Sequence, residues 1–453
     1  MSDMQKPSVS VFLPTNRSEQ TSSPLRRALV NLSLRSGGFR WVICGVLLLG
    51  VTKNYMDRNV LGVLNTTLQR DLGWSDIDYS NLVVAFQAAY GVGMLLMGGF
   101  IDKLGTRFGY AFAMIFWSLA SMGTAFARSL AAFGVFRLAL GLGESAVFPA
   151  SIKAVAEWFP AKERALATGI FNAGTNIGAI LTPLVVPWLV AYWGWRGAFL
   201  GVGSLGFLWL VLWLVVYRRP EEHPLVSAAE LAYIQSDSGE SPRRVPWLPL
   251  LKLRQTWCFA VGKFLTDPVW WFYLFWLPEF LQRKHGLSLN QLFVPIMVVY
   301  LISDVGSVLG GWLSSSLIKR GNSTNTARKS SLFVCAAIVL PVILAPRIES
   351  MWGAVLLIGL AAAAHQGFSA NLYTLTSDMF PSRAIASVVG IGGMLGALGG
   401  LLIATVVGHI LQKTGSYQIP FLIAGIAYLV ALGFIHLLSP RLHGAKLGDG
   451  VAS

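Results

Sequence analysis

Apolar runs of about twenty residues recur a dozen times along this chain. They lie near 41–66, 79–101, 108–127, 131–154, 165–191, 196–217, 257–281, 290–317, 331–346, 352–376, 385–410 and 417–438, each long enough to cross a hydrocarbon layer as a helix. Many of the 47 glycines and 20 prolines fall inside these runs, where neighbouring helices can resatisfy the backbone groups such residues free. Alternating ten-residue segments, as a barrel would need, are absent. With 54% hydrophobic and only 12% charged residues and a mean hydropathy of +0.60, the chain has too little polar surface for a soluble protein of its length. The expected fold class is an all-α integral membrane protein of twelve transmembrane helices.

That reading places about 23 Lys and Arg residues on the side of the two termini, about 7 on the other side and 5 within spans. Positive charge retained inside predicts that both termini are cytoplasmic. The net charge of +14 then reflects topology and contact with anionic lipid headgroups. A nucleic-acid partner would need a soluble basic face, which the chain lacks. Residues 1–39 are polar and Ser-rich and read as a disordered cytoplasmic tail. Residues 35–50 imitate a signal peptide, but no small-residue cleavage site follows, so the first span reads as an uncleaved anchor. The segment 218–256 reads as a cytoplasmic linker between six-span halves at 40–217 and 257–438, with 439–453 a second tail. The linker holds Arg218, Arg219, Arg243, Arg244, Lys252 and Arg254, and a short surface helix whose capping box pairs Ser227 with Glu230. Cys44, Cys258 and Cys335 all lie in apolar spans and read as small core residues.

The halves repeat one another. EWFPAKERALATG at 157–169 matches DMFPSRAIASVVG at 378–390 with a constant offset of 221, which Gly178 and Gly399 keep. GGFIDKLGTR from Gly98 has a degraded echo in GGWLSSSLIKRG from Gly310. Two pseudo-symmetric six-helix bundles with a site between them at the bilayer midplane follow from such a repeat.

A charge at the centre of a bilayer costs several kcal/mol and is kept where it has a task. Lys53, Asp57 and Arg58 stand in the middle of the first span, Arg137 and Glu144 in the fourth. The latter two are seven residues apart, two helical turns, and point to nearly the same side. Lys53 precedes Asp57 by the four residues that let them pair.

Gly98, Asp102, Lys103, Gly105 and Arg107 fit the G-x3-D-[RK]-x-G-x-[RK] signature of the major facilitator superfamily, which the chain resembles from about residue 40 to 440. The glycines permit a tight turn and close helix approach, while Asp102 and the basic residues can form ion pairs that hold one gate state. Within that superfamily the chain is similar to the anion:cation symporter group and, more narrowly, to bacterial hexuronate transporters. The similarity is carried by NYMDRN at 54–59, GLGESAVFPASIKAVAEWFPAKERA at 141–165, LTDPVWWFYLFWLP at 265–278 and AHQGFSANLYTLTSDMFP at 364–381. This resemblance implies that Asp57 and Glu144 are proton-coupling groups, that Arg58 binds the substrate carboxylate and that Arg137 switches between carboxylate partners. Burial favours the protonated form of a carboxylate and a neighbouring Arg the ionised form, so moving Arg137 can switch a proton site. An anion on Arg58 is expected to compete with Asp57 for its charge. A static ion-pair network joining spans one and four is the structural alternative. The chain departs from the pattern at Lys53, where a neutral residue is expected, and at Gly393, where related galactonate-type symporters carry an asparagine; the latter argues against an aldonate.

A sugar-acid site needs hydroxyl partners and apolar faces. Tyr55 and Tyr90 supply both, while Asn172, Thr175 and Asn176 cluster on the fifth span. Asp267, Trp270 and Trp271 begin the seventh span. His365, Gln366, Ser369, Asn371 and Tyr373 make the tenth unusually polar, with His365, Ser369 and Tyr373 on one face. For each polar residue, helix-to-helix hydrogen bonding stands beside ligand contact, and the two tryptophans also fit an interfacial belt. Asp304, in the eighth span, fits a ligand, a gate or a structural role. No phosphate loop, nucleophile elbow or metal-ligand spacing is present, so neither an enzyme nor a cofactor or metal is expected. The expectation is a monomeric inner-membrane transporter that imports a sugar-acid anion, a hexuronate, with protons. A symporter of another organic anion (glucarate, galactarate, an aldonate or an aromatic acid) and a transport-deficient sensor are the alternatives.

Overall fold

The computed structural model describes residues 38–74, 76–237, 247–287 and 291–445; Arg243, Arg244 and most of both tails lie outside the described residues. The spans are α1 (Phe39–Leu72), α2 (Asp76–Leu104), α3 (Thr106–Thr124), α4 (Leu130–Trp158), α5 (161–193), α6 (195–216), α7 (Arg254–His285), α8 (Phe293–Lys319), α9 (Thr324–Arg347), α10 (Met351–Met379), α11 (Ser382–Thr414) and α12 (Gln418–Leu438). Twelve membrane-spanning helices are therefore present among the described residues. Helix α5 turns into α6 at Gly194, where φ is 65° and a side chain would be strained. Helix α4 breaks at residues 145–146, just after Glu144. Pro149, four residues beyond Ser145, has no N–H for the Ser145 carbonyl and crowds it.

Helix α1 packs on α5 and α6, α7 on α11 and α8 on α10; the two halves meet along α2 with α11 and α5 with α8. Glycines make these crossings close, and the repeat is visible in them. A side chain on Gly98 would strike the backbone of Ala386 on α11, and one on Gly311 the backbone of Ala165 on α5. Gly390 likewise abuts the Met94 carbonyl and Gly169 the Ser307 carbonyl. Residues 165 and 386 keep the offset of 221, as do 169 and 390. Both pairs thus obey one pseudo-twofold relation.

Polar contacts fasten the halves at the end bearing the α2–α3, α4–α5, α8–α9 and α10–α11 loops. Arg164 donates to the Ser377 carbonyl at 2.6 Å, and Arg328 donates to the Ala161 carbonyl at 2.8 Å while pairing with Asp378 at 2.7 Å. In the linker, Ser227 Oγ accepts from Glu230 N at 3.1 Å. The Glu230 carboxylate does not complete the box; it accepts from Phe39 N (3.1 Å) and Arg40 N (3.2 Å), capping the start of α1. The three cysteines are buried thiols.

Candidate functional site

Successive residues on a helix are about 100° apart, so Asp57 and Arg58 leave α1 in different directions. Asp57 turns to α3, where it accepts from Ser121 Oγ (2.9 Å) and Trp117 Nε1 (3.1 Å) and pairs with Lys53. The Lys53 ammonium also donates to Ser118 Oγ at 2.9 Å. Arg58 faces the space between the halves, its guanidinium 4.6 Å from the ring centroids of both Tyr55 and Tyr90 and 5.2 Å from that of Phe86. Its carboxylate partner is Glu144 on α4, Nε to Oε2 at 3.0 Å. This corrects the expectation that Arg58 shares its charge with Asp57: Lys53 and the α3 donors hold Asp57 on the far side of α1.

Helix α4 carries Glu144 into the interior by packing closely, on glycine, against α2 and α3. Gly141 lies against the Phe86 carbonyl and Gly143 against Trp117, where a side chain would not fit. Glu144 is fully buried, and among the described residues its second oxygen, Oε1, has no hydrogen-bond donor. Arg137 is buried two turns earlier, 5.9 Å from the Phe86 ring, and also acts electrostatically on Glu144.

Arg58, with the buried Glu144 behind it, borders a cavity between the two halves. The first half contributes Tyr55, Arg58, Tyr90, Met94, Phe148, Asn172 and Thr175. The second contributes Lys263, Asp267, Trp270, Trp271, His365, Gln366, Ser369, Tyr373, Gly393 and Ala397. The rings form apolar walls. Phe148 stacks on Tyr373 across the halves with centroids 5.4 Å apart, and Trp270 stacks on His365 at 5.1 Å. His365 Nδ1 also meets the Tyr428 hydroxyl at 2.6 Å. Asn172 Nδ2 donates to Gln366 Oε1 at 2.7 Å, bridging α5 and α10 at the cavity wall.

Two of the expected ligand residues are engaged elsewhere. Asn176 donates to Asp304 at 2.8 Å, joining α5 to α8, and Asn371 donates to the Gly310 and Gly367 carbonyls at 2.9 Å each. Neither lines the cavity. The α2–α3 signature also differs in its partners. Asp102 pairs with Lys153 on α4 at 2.8 Å and accepts from Ser387 N on α11 at 2.7 Å, rather than pairing with Lys103 or Arg107. Lys103 is exposed, Gly105 takes a φ of 82°, and Arg107 donates to the Leu214 carbonyl on α6 at 2.7 Å. Sequence reasoning missed Lys153 and Lys263, each a charge inside a span and so carrying the same signal as Lys53. It also missed Met94, Phe148 and Ala397, apolar residues with no signal to distinguish them from core.

The sequence profile of the Major Facilitator Superfamily matches residues 47–404. A hexuronate transporter of Escherichia coli is 32% identical over 385 residues, covering 83% of this chain and 89% of that one. A galacturonate transporter of Dickeya chrysanthemi is 36% identical over 282 residues, 61% of this chain and 81% of that one. Among solved structures, a proton:xylose symporter bound to 6-bromo-6-deoxy-D-glucose superposes with a TM-score of 0.69 at 15% identity, over 90% of this chain and 97% of that one. This last likeness concerns the fold alone.

Proposed function

The chain belongs to the major facilitator superfamily, and on that premise we propose that it imports a hexuronate, galacturonate or glucuronate, together with protons. It is a multi-pass inner-membrane transporter of an organic anion and not an enzyme. In our reading both termini and the linker are cytoplasmic, one chain is the working unit, and the halves rock about the cavity.

The observation that carries the reading is the ion pair that Arg58, at the cavity wall, makes with the buried Glu144. A proton arriving on Glu144, whose Oε1 has no donor among the described residues, cancels the charge that holds Arg58. The freed guanidinium then grips a substrate carboxylate through two parallel N–H bonds. When the substrate leaves, Arg58 returns to Glu144 and expels the proton, with Arg137 as the alternative partner of the carboxylate. Asp57 acts as a second coupling group whose counter-ion is Lys53. Tyr55, Tyr90, Trp270, Trp271 and Tyr373 offer faces to the sugar ring, while Asn172, Thr175, Gln366, Ser369 and His365 offer hydrogen bonds. Asp267 neutralises Lys263, so among the described residues the cavity lining offers no other Lys or Arg beyond Arg58 for a second carboxylate, which favours a monoanion.

Radiolabelled galacturonate and glucuronate uptake into proteoliposomes tests this. Accumulation driven by an inward proton gradient, and lost in Asp57→Asn, is expected. Uptake of an aldarate or aromatic acid but of neither hexuronate would discard the substrate assignment, and binding without transport would identify a sensor.

A further inference from the structure

Arg58 and Glu144 belong to the first half; the second half brings its own buried ion pair to the same cavity. On α7, Lys263 Nζ lies 2.7 Å from Asp267 Oδ1, with side chains 5% and 18% exposed. We propose that this pair reads hydroxyls: it holds the vicinal diol on the ring edge opposite the substrate's carboxylate, so that a sugar acid spans the two halves between Arg58 and Lys263–Asp267. The assignment rests on the hexuronate reading above.

The chemistry of the two side chains fits a diol. The ammonium has three N–H bonds; one goes to Asp267, and the Tyr373 ring lies beneath the group at 4.3 Å from its centroid. A further N–H can meet a hydroxyl oxygen. The carboxylate has acceptor capacity beyond Lys263 for two O–H donors. Its aim is fixed by α11: Oδ2 lies against Gly396 where a methyl group would collide with it, so glycine there leaves the carboxylate its place at the wall. Being neutral as a pair, Lys263 and Asp267 do not call for a second anionic group, and a ligand that lacks a hydroxyl leaves a buried charged group short of a partner. The order of recognition follows from placement. The carboxylate engages one bundle and the diol the other, so a ligand carrying both draws the halves together.

Isothermal titration of the full-length protein in detergent with galacturonate and its 2-deoxy and 3-deoxy analogues tests the assignment. Wild type is expected to bind the deoxy analogues about tenfold or more weakly. In Lys263→Met that ratio should narrow to about twofold. The paired Lys263→Gln, Asp267→Asn variant keeps the volume and a neutral hydrogen bond, and should show the same narrowing if Lys263→Met proves poorly folded. Deoxy analogues that bind wild type as well as galacturonate, or a ratio preserved in both variants, would overturn the assignment while leaving the hexuronate reading intact. Absence of galacturonate and glucuronate binding by wild type would instead overturn that reading, and this one with it.

Discussion

Asp57 and Arg58 are neighbours in sequence with separate surroundings in space. Both stand out in the sequence as functional candidates, since a charge inside a bilayer is costly and normally kept where it has a task. Their partners are not legible, because Ser121, Trp117 and Glu144 arrive from other helices. Asn176 and Asn371 show the same limit: an amide that bridges helices and one that faces a ligand have the same sequence signal. Lys263 was within reach, since it precedes Asp267 by four residues as Lys53 precedes Asp57. The Lys53–Asp57 pair makes a prediction at this scale. Removing one partner of a buried pair costs about 3–5 kcal/mol, whereas replacing both can be nearly neutral. Lys53→Met should therefore lower the unfolding temperature in detergent, and adding Asp57→Asn should recover most of the loss. A double variant no more stable than the single one would mean that the pair does not act as a unit.

At the scale of elements, the twelve spans and the repeat are legible because length and hydropathy in lipid leave few choices. Interruptions are less so. The break in α4 needs Pro149 to be read against Ser145 four residues earlier, whereas the α5–α6 turn at Gly194 falls in the gap between the apolar runs at 165–191 and 196–217. The linker is positioned by contacts no local pattern reveals. His223 packs on Phe39 and Trp158 with centroids 4.1 and 5.6 Å away. Its Nε2 lies 3.1 Å from the Val216 carbonyl, and Leu225 N donates to its Nδ1 at 3.2 Å. Only the neutral ring with its proton on Nε2 satisfies both. Burial lowers the proton affinity of His223 below the ordinary histidine value. Because the folded pKa is the depressed one, the stability this contact supplies is complete above about pH 6.5 and is lost as the pH falls through the folded value. Thermal unfolding between pH 7.5 and about pH 5 should show wild type losing stability faster than His223→Gln, with parallel curves refuting the linkage.

For the whole molecule, the repeat predicts two bundles, and Gly98 with Gly311 and Gly390 with Gly169 turn it into matched crossings. Asp102, Arg164 and Arg328 fasten one end of the interface between the bundles, leaving the cavity bordered by both halves. Rocking such halves about a central ion pair links anion movement to a proton only if that pair must break for substrate to bind. The most direct test is substrate-induced proton movement in proteoliposomes holding a pH-sensitive dye, comparing wild type with Glu144→Gln. Galacturonate added outside should acidify the lumen with wild type. In Glu144→Gln the acidification should vanish while exchange of labelled galacturonate for unlabelled persists. Acidification by Glu144→Gln at the wild-type rate would contradict coupling through Arg58 and Glu144.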